Sequence, residues 1–278
     1  MRVSAHQRAK SSVVAEREIM RFAVPDPVTG LRPHALWHKH VHNVELDSLQ
    51  CLKMAEMDAY PNTSDFSCRR TGKTAVKEMY NLEELATQPD QECGIVAPRL
   101  QQSLNNLGYM TDAIKRSSML KAFIMYNAGR PQLKDTGFQF VNRSKAGAYG
   151  IMSQIDGDSI TIASLEEVDD MPQDRLLSRF LPMLGAARRL GVDPNARRFR
   201  PRVRIMGVFK GADTLQRLLA TGEYHKLPAV DIHLAVELGL VDKDWAESMR
   251  VQLPPAEYLR QFLSMNVAAR NWIWESHI

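Results

Sequence analysis

The chain has 278 residues, of which 44% are hydrophobic and 24% charged, the composition of an ordinary globular protein long enough to bury a full core. That excludes a disordered chain, and no run approaches the roughly 18 uncharged apolar residues of a membrane span, so no membrane association is expected. Basic residues exceed acidic ones by only 36 to 32, too little to argue for nucleic acid by itself.

The N-terminal segment MRVSAHQRAKSSVVAEREIM has no continuous apolar core, so it is not a signal peptide and the protein is expected to stay in the cytoplasm where it is made. Cys51, Cys68 and Cys93 are odd in number and far apart, which supports neither a disulfide framework nor a structural zinc site.

In chain order, residues 1–45 read as an extension with one helix near 11–21 and turns at Pro25-Asp26-Pro27 and Thr29-Gly30. His38, His40 and His42 lack a carboxylate or cysteine at ligand spacing and read as solvated side chains, not a metal site. Leu46, Leu49, Leu52 and Ala55 have helical spacing, ended by Pro61-Asn62. A short strand is expected at 64–67, an amphipathic helix at 75–87, a buried strand at 93–97 and a long helix over 100–125.

Further strands are expected at 137–141, 159–165 and 203–209, with a helix over 176–190. Asp213-Thr214-Leu215-Gln216 has capping-box spacing and opens a helix through 219. After Gly222 only short helices follow, at 232–238, 244–250 and 255–265. Alternating strands and helices predict an α/β fold with a mostly parallel central sheet, divided into a core over 46–225 and a small helical lid over 226–278.

Seven arginines lie between Arg188 and Arg204, and from Arg200 to Arg204 they alternate with Pro201 and Val203. That is the period of a strand with one charged face. It reads either as an edge that contacts phosphate or as a solvated rim.

The segment Ser67-Cys68-Arg69-Arg70-Thr71-Gly72-Lys73-Thr74 lies between a short strand and an amphipathic helix. A nucleotide loop needs backbone N–H groups and a helix N-terminus aimed at phosphate, a lysine to reach the β/γ-phosphates, and a hydroxyl for Mg²⁺. Gly72, Lys73 and Thr74 meet those needs, although Ser67 stands where the common pattern has its first glycine. As mere scaffold the loop is poorly composed: Arg69, Arg70 and Lys73 crowd the positive end of a helix dipole. A bound polyanion would relieve that conflict.

Phosphate chemistry also needs a carboxylate on the metal side and a second one to orient the attacking water. Both belong where an apolar strand leaves the sheet. SITIASL followed by Glu166 and Glu167 meets that requirement, with Asp169, Asp170 and Asp174 trailing. Glu166 takes the metal-side role, where aspartate is usual, and Glu167 the role of base.

With these elements placed, the chain from about residue 46 onward resembles the ATPase domain of the large terminase of tailed bacteriophages. The resemblance is carried by Gln50 in LDSLQCLKM, by CRRTGKT, by ECGIVAPRLQQS, by FQFVNRS, by LEEVDDM, by RIMGVFKGADTLQRLL and by PPAEYLRQFL. Arg143 replaces the family's glycine in FQFVNRS, and the usual Thr or Ser of the coupling segment is missing after Met206.

The resemblance implies a P-loop NTPase of the additional-strand type, with ATP and Mg²⁺ as cofactors and Gln50 associated with the adenine. It implies double-stranded DNA as the moved substrate. The implied partners are a portal protein, a small terminase subunit and further copies of the chain in a ring on the portal, with a monomer in solution compatible. The extension over 1–45 is expected to pack with the lid. The family's nuclease domain would start where this chain ends, so nuclease activity is not expected from it. Arg69 or Arg70 would sense the γ-phosphate in cis, and Arg143, Arg175 and Arg179 are equivalent candidates for a finger acting on a neighbouring subunit.

Two other readings compete. A helicase-type ATPase would carry a second ATPase-like domain, for which 223–278 leaves no room. A non-enzymatic DNA-binding protein with an accidental GKT would bind with steep salt dependence and no effect of nucleotide.

Overall fold

The computed structural model describes residues 5–153, 159–184, 201–210 and 213–267. Its apolar runs form one eight-stranded sheet: β1 (Asn62–Asp65), β2 (Glu92–Ala97), β3 (Leu133–Lys134), β4 (Gly137–Gln139), β5 (Lys145–Gly150), β6 (Ile162–Glu166), β7 (Arg202–Met206) and β8 (His225–Lys226). The spatial order is β8-β1-β7-β6-β2-β5-β4-β3. Pairing is parallel from β8 through β5, and the last two strands are antiparallel. Strand β7 therefore lies between β1, which leads into the glycine-containing loop, and β6, which carries the acidic end.

The helices are α1 (Ala5–Arg21), α2 (His34–His42), α3 (Ser48–Ala59), α4 (Lys73–Thr87), α5 (Leu100–Arg116), α6 (Ser118–Phe123), α7 (Asp213–Ala220), α8 (Ile232–Glu237), α9 (Lys243–Gln252) and α10 (Pro255–Phe262). Alternation along the strands divides the core between the two faces of the sheet. Cys93 and Ile95 of β2 pack with α4, α5 and α6. Val96, with Ala163 and Leu165 of β6, packs with Leu176, Phe180, Leu215 and Leu218 on the other face. A third cluster joins Cys68 to Val230, Ile232, Ala235, Ala246 and Phe262, so the lid helices are seated on the loop itself.

Several sequence expectations change. The long helix over 100–125 breaks at Ser117, whose hydroxyl caps the Leu120 N–H at 3.1 Å and donates to the Val41 carbonyl. Strands β3, β5 and β8 and helix α2 were not expected. The helical stretch after Pro172 includes a π-helix at Leu176–Phe180, and its expected continuation to 190 lies outside the described residues. So do Arg188, Arg189, Arg197, Arg198 and Arg200.

The arginines that are described are neither a phosphate edge nor a solvated rim. Arg204 is fully buried in a central strand and donates to the carbonyls of Met57, Tyr60 and Pro61, with its guanidinium over the Tyr80 ring. Arg202 pairs with Glu84.

Of the three histidines expected to be solvated, His38 and His42 are buried. His34, His38 and His42 share the buried face of α2, while His40 is exposed and stacks on Phe22. The extension also packs differently from expectation. Ala15, Ile19, Trp37 and Val41 join the cluster formed by α4, α5 and α6, and the principal contacts of α1 are with α6, α2 and α4 rather than with the lid.

Candidate nucleotide site

Beyond Asp65 the chain turns through residues 66–72 into α4, and the turn rests on a buried polar hub. The Ser67 hydroxyl donates to Asp65 Oδ1 at 2.6 Å and accepts from Lys53 Nζ at 2.9 Å and from the Val230 N–H at 3.0 Å. Lys53 is in turn paired with Asp65 Oδ2 at 2.6 Å. A glycine could make none of the side-chain bonds, which accounts for serine at this position. The Cys68 N–H donates to the Val230 carbonyl at 2.7 Å. Burial pushes the Cys68 thiol up to about 11, so it is an inert packing group.

Gly72 ends the turn with φ +75°. A Cβ there would meet nothing within 4 Å, so the demand for glycine is conformational rather than steric. Thr71 donates to the Cys68 carbonyl at 2.9 Å. The Lys73 ammonium folds back over the loop and donates to the carbonyls of Ser67 at 2.8 Å and Cys68 at 3.3 Å. Burial lowers its pKa, while Asp65, Glu166 and Glu167 hold the charge in place.

The acidic end of β6 reaches the same place from the other side of β7. Lys77 Nζ donates to Glu166 Oε1 at 2.7 Å, and Thr74 lies beside the same carboxylate. Burial pushes the Glu166 carboxyl up, and Lys77 and Thr74 act against that rise. Glu167 takes a left-handed backbone with φ +51°. Its carboxylate pairs with Lys210 Nζ at 2.8 Å, and Lys210 also pairs with Asp170. Asp169 accepts from the backbone N–H of Lys210 at 2.8 Å and of Leu215 at 3.1 Å.

The structure thus brings Ser67, Cys68, Thr71, Gly72, Lys73, Thr74, Glu166 and Glu167 together. Arg69 is exposed beside them. Arg70, left-handed at φ +68°, instead lays its guanidinium 4.5 Å from the Trp245 ring centroid in the lid. Gln50 is engaged locally: its side-chain oxygen accepts from the Asp47 N–H at 3.0 Å in a reciprocal capping box at the start of α3. Arg143 pairs with Asp90 at 2.6 Å on the surface. The Asp213 side chain, Trp272 and Trp274 lie outside what is described.

Sequence reasoning missed Lys53, Lys77 and Lys210. Helical period places Lys77 one turn beyond Lys73, on the face that also carries Tyr80 and Glu84, so its burial was readable. The bonds of Lys53 and Lys210 depend on strand order and had no local signal.

The fold is shared with solved structures. The large terminase ATPase domain of Thermus phage P74-26 superposes with a TM-score of 0.61 at 15% identity, covering 85% of this chain and 100% of that one. The fold is that of a phage large-terminase ATPase domain. The HK97 bacteriophage large terminase matches at TM-score 0.58 and 15% identity over 91% of this chain. The large terminase of another thermophilic bacteriophage, solved in complex with ATP-γ-S, matches at 0.54 and 14% over 79%. The matched region is 55% of the HK97 chain and 52% of the ATP-γ-S-bound chain, so this chain corresponds to about half of either. No protein-family model matches the chain, nor does any curated protein sequence.

Proposed function

We propose that this chain is a P-loop ATPase that hydrolyses ATP with Mg²⁺ and serves as the ATPase part of a viral DNA-packaging motor. The observation that carries the reading is the bond from Lys77 Nζ of α4 to Glu166 Oε1 at 2.7 Å, which ties the helix that follows the loop to the carboxyl end of β6 and sets Glu166 beside Thr74. It brings the loop and the acidic strand end together where a magnesium nucleotide needs both. The donor set fits such a ligand, with one hydroxyl beside one carboxylate at an amide-rich helix start that also carries a lysine.

Lys73 and the amides of 69–74 hold the phosphates, in exchange for the loop carbonyls that Lys73 now satisfies. Thr74 and Glu166 would hold Mg²⁺, which would supply charge neutralisation at the phosphates. Glu167 orients the attacking water. Arg69 is the nearer candidate for stabilising charge on the γ-phosphate, because Arg70 is engaged with the lid. Gln50 sits at the start of α3 as the candidate adenine contact.

The fold neighbours are large terminases, and on that likeness double-stranded DNA is the moved substrate. A portal protein, a small terminase subunit and further copies of this chain in a ring are the partners. The host cytoplasm is the place of action.

The test is ATP hydrolysis with and without Mg²⁺, beside Lys73→Ala, at high protein concentration and with duplex DNA added. Turnover that requires Mg²⁺ and vanishes in the variant supports the site, and stimulation by DNA supports the motor. A wild type that neither binds nor hydrolyses nucleotide ends the ATPase reading and leaves DNA binding without catalysis.

A further inference from the structure

Lys77 is a lysine with no exposed surface, and lysine is almost never fully buried unless paired. It lies one helical turn beyond Lys73 on α4 and reaches across to β6. Its ammonium donates to Glu166 Oε1 at 2.7 Å and lies 3.3 Å from Glu78 Oε1. Glu78 Oε1 also accepts from the Ser164 hydroxyl at 2.6 Å, and Glu78 Oε2 accepts from Asn81 Nδ2 at 3.1 Å.

Ser164 and Glu166 are two residues apart on β6 and so share a face. Asn81, Glu78, Ser164, Lys77 and Glu166 therefore form one continuous buried ladder between helix and strand. Its last member, Glu166, lies beside Thr74, at the start of α4.

The ladder answers a problem set by the sequence. A glutamate at the metal side is one methylene longer than the usual aspartate, and its extra torsion lets the carboxylate miss the loop. Lys77 fixes one oxygen of that carboxylate, which keeps the group facing Thr74. The ladder holds two carboxylates against one ammonium, so it retains one negative charge at the end where a divalent cation would sit.

We propose that Lys77 is a positioning residue for the divalent cation: it acts through Glu166 and sets how strongly Mg²⁺ tightens nucleotide binding. This rests on the nucleotide-site reading given above. It assigns to Lys77 no contact with nucleotide, so its loss weakens the contribution of Mg²⁺ rather than the grip of the loop on phosphate.

The variant that isolates this role is Lys77→Met combined with Glu78→Gln. It removes the ammonium, keeps the ladder's net charge unchanged, and leaves an amide oxygen to accept from Ser164. Lys77→Gln is the milder companion, keeping an N–H donor near Glu166. Binding of a fluorescent ATP analogue is measured in EDTA and in excess Mg²⁺, with the fold checked by circular dichroism.

The double variant should keep its EDTA affinity within about twofold and lose about tenfold or more of the tightening by Mg²⁺, as loss of a residue supporting a metal ligand does elsewhere. Lys77→Gln should move in the same direction by less. Full Mg²⁺ tightening in both variants overturns the proposal, as does an equal loss of affinity in EDTA and in Mg²⁺. A wild type that binds no analogue in either condition overturns the site reading itself, and Lys77 falls with it. The two failures are therefore distinct.

Discussion

Lys210 Nζ lies 2.8 Å from Glu167 Oε2, so the carboxylate proposed to orient the attacking water is held in an ion pair by the segment that follows β7. Burial works against the Lys210 cation, and Asp170 and Glu167 outweigh it. Lys210 lies in the segment after β7, RIMGVFKGADTLQRLL, which resembles the family's coupling segment without its usual Thr or Ser. Glu167→Gln should reduce turnover by about 10² to 10⁴, the usual worth of a positioned acid–base group. Nucleotide affinity should stay within a few-fold, because Glu167 does not hold the loop. Parallel hydrolysis and binding titrations check this, and a loss of both together would remove Glu167 from the role of base.

Asp169 holds the same segment by its backbone. Its carboxylate accepts from the N–H of Lys210 and from that of Leu215 in the first turn of α7. Both bonds are charge-assisted, and Asp169 is buried. Asp169→Ala should destabilise the fold by about 2 to 4 kcal/mol, since hydrogen bonds to charged groups contribute about 1.5 to 3 kcal/mol each and do not add fully. Urea unfolding measures it. A change under about 0.5 kcal/mol, the range of ordinary surface substitutions, would show that the clamp is not held in solution.

The glycine-containing turn into α4 was readable because its requirements are local: a glycine with positive φ, a lysine, a hydroxyl and a helix start. The acidic strand end was readable because apolar strands announce themselves. What failed to show depends on tertiary placement. KAGAYG, the segment of β5, has weak strand propensity and is held by pairing with β2 on one side and β4 on the other. Arg204 alternates like a surface strand residue, yet the backbone carbonyls of Met57, Tyr60 and Pro61 give its guanidinium a buried set of acceptors. Ser67 looked like a lapse from the glycine pattern, and only the placement of Lys53, Asp65 and Val230 around it shows what the hydroxyl does.

Arg69 and Arg70 were equivalent by sequence, and the structure separates them. Arg70 stacks on Trp245, whose ring also meets Phe262 edge-on at 5.8 Å between centroids. Arg69 is exposed at the loop. Arg69→Ala should therefore lower turnover by about tenfold or more, in line with the loss of a charge-stabilising group. Arg70→Ala should lower it by less than Arg69→Ala, while weakening the seating of the lid by about 0.5 to 1 kcal/mol, the worth of an exposed cation–π contact. Single-turnover hydrolysis ranks the two, and the reverse order would show that Arg70 leaves Trp245 when nucleotide binds.

The histidine face of α2 predicts an acid-sensitive fold. His38 Nδ1 and His42 Nε2 are 2.7 Å apart, and His34 and His38 both meet Glu83. Burial, then His38 and Arg116, lowers His42 to about 3; burial also lowers His38, against the pull of Glu83. An unfolded histidine titrates near about 6.5. Below that, the unfolded chain binds protons that folded His38 and His42 refuse, so stability falls as pH falls. His34 runs the other way. Burial opposes its cation, Asp58 and Glu83 outweigh burial, and its contribution is present below about 6.5 and lost as pH rises through its folded value. Glu83, lowered to about 2 against burial by His34 and His38, loses its contribution only as pH falls below the carboxylate range, and Asp58 behaves likewise. From about pH 7.5 to about pH 5.5, His42 alone should cost about 1.4 kcal/mol. His42→Gln should therefore lose about 1.4 kcal/mol less than wild type over that interval, measured by urea unfolding at the two pH values. Equal slopes in the two proteins would mean that His42 takes up its proton while folded.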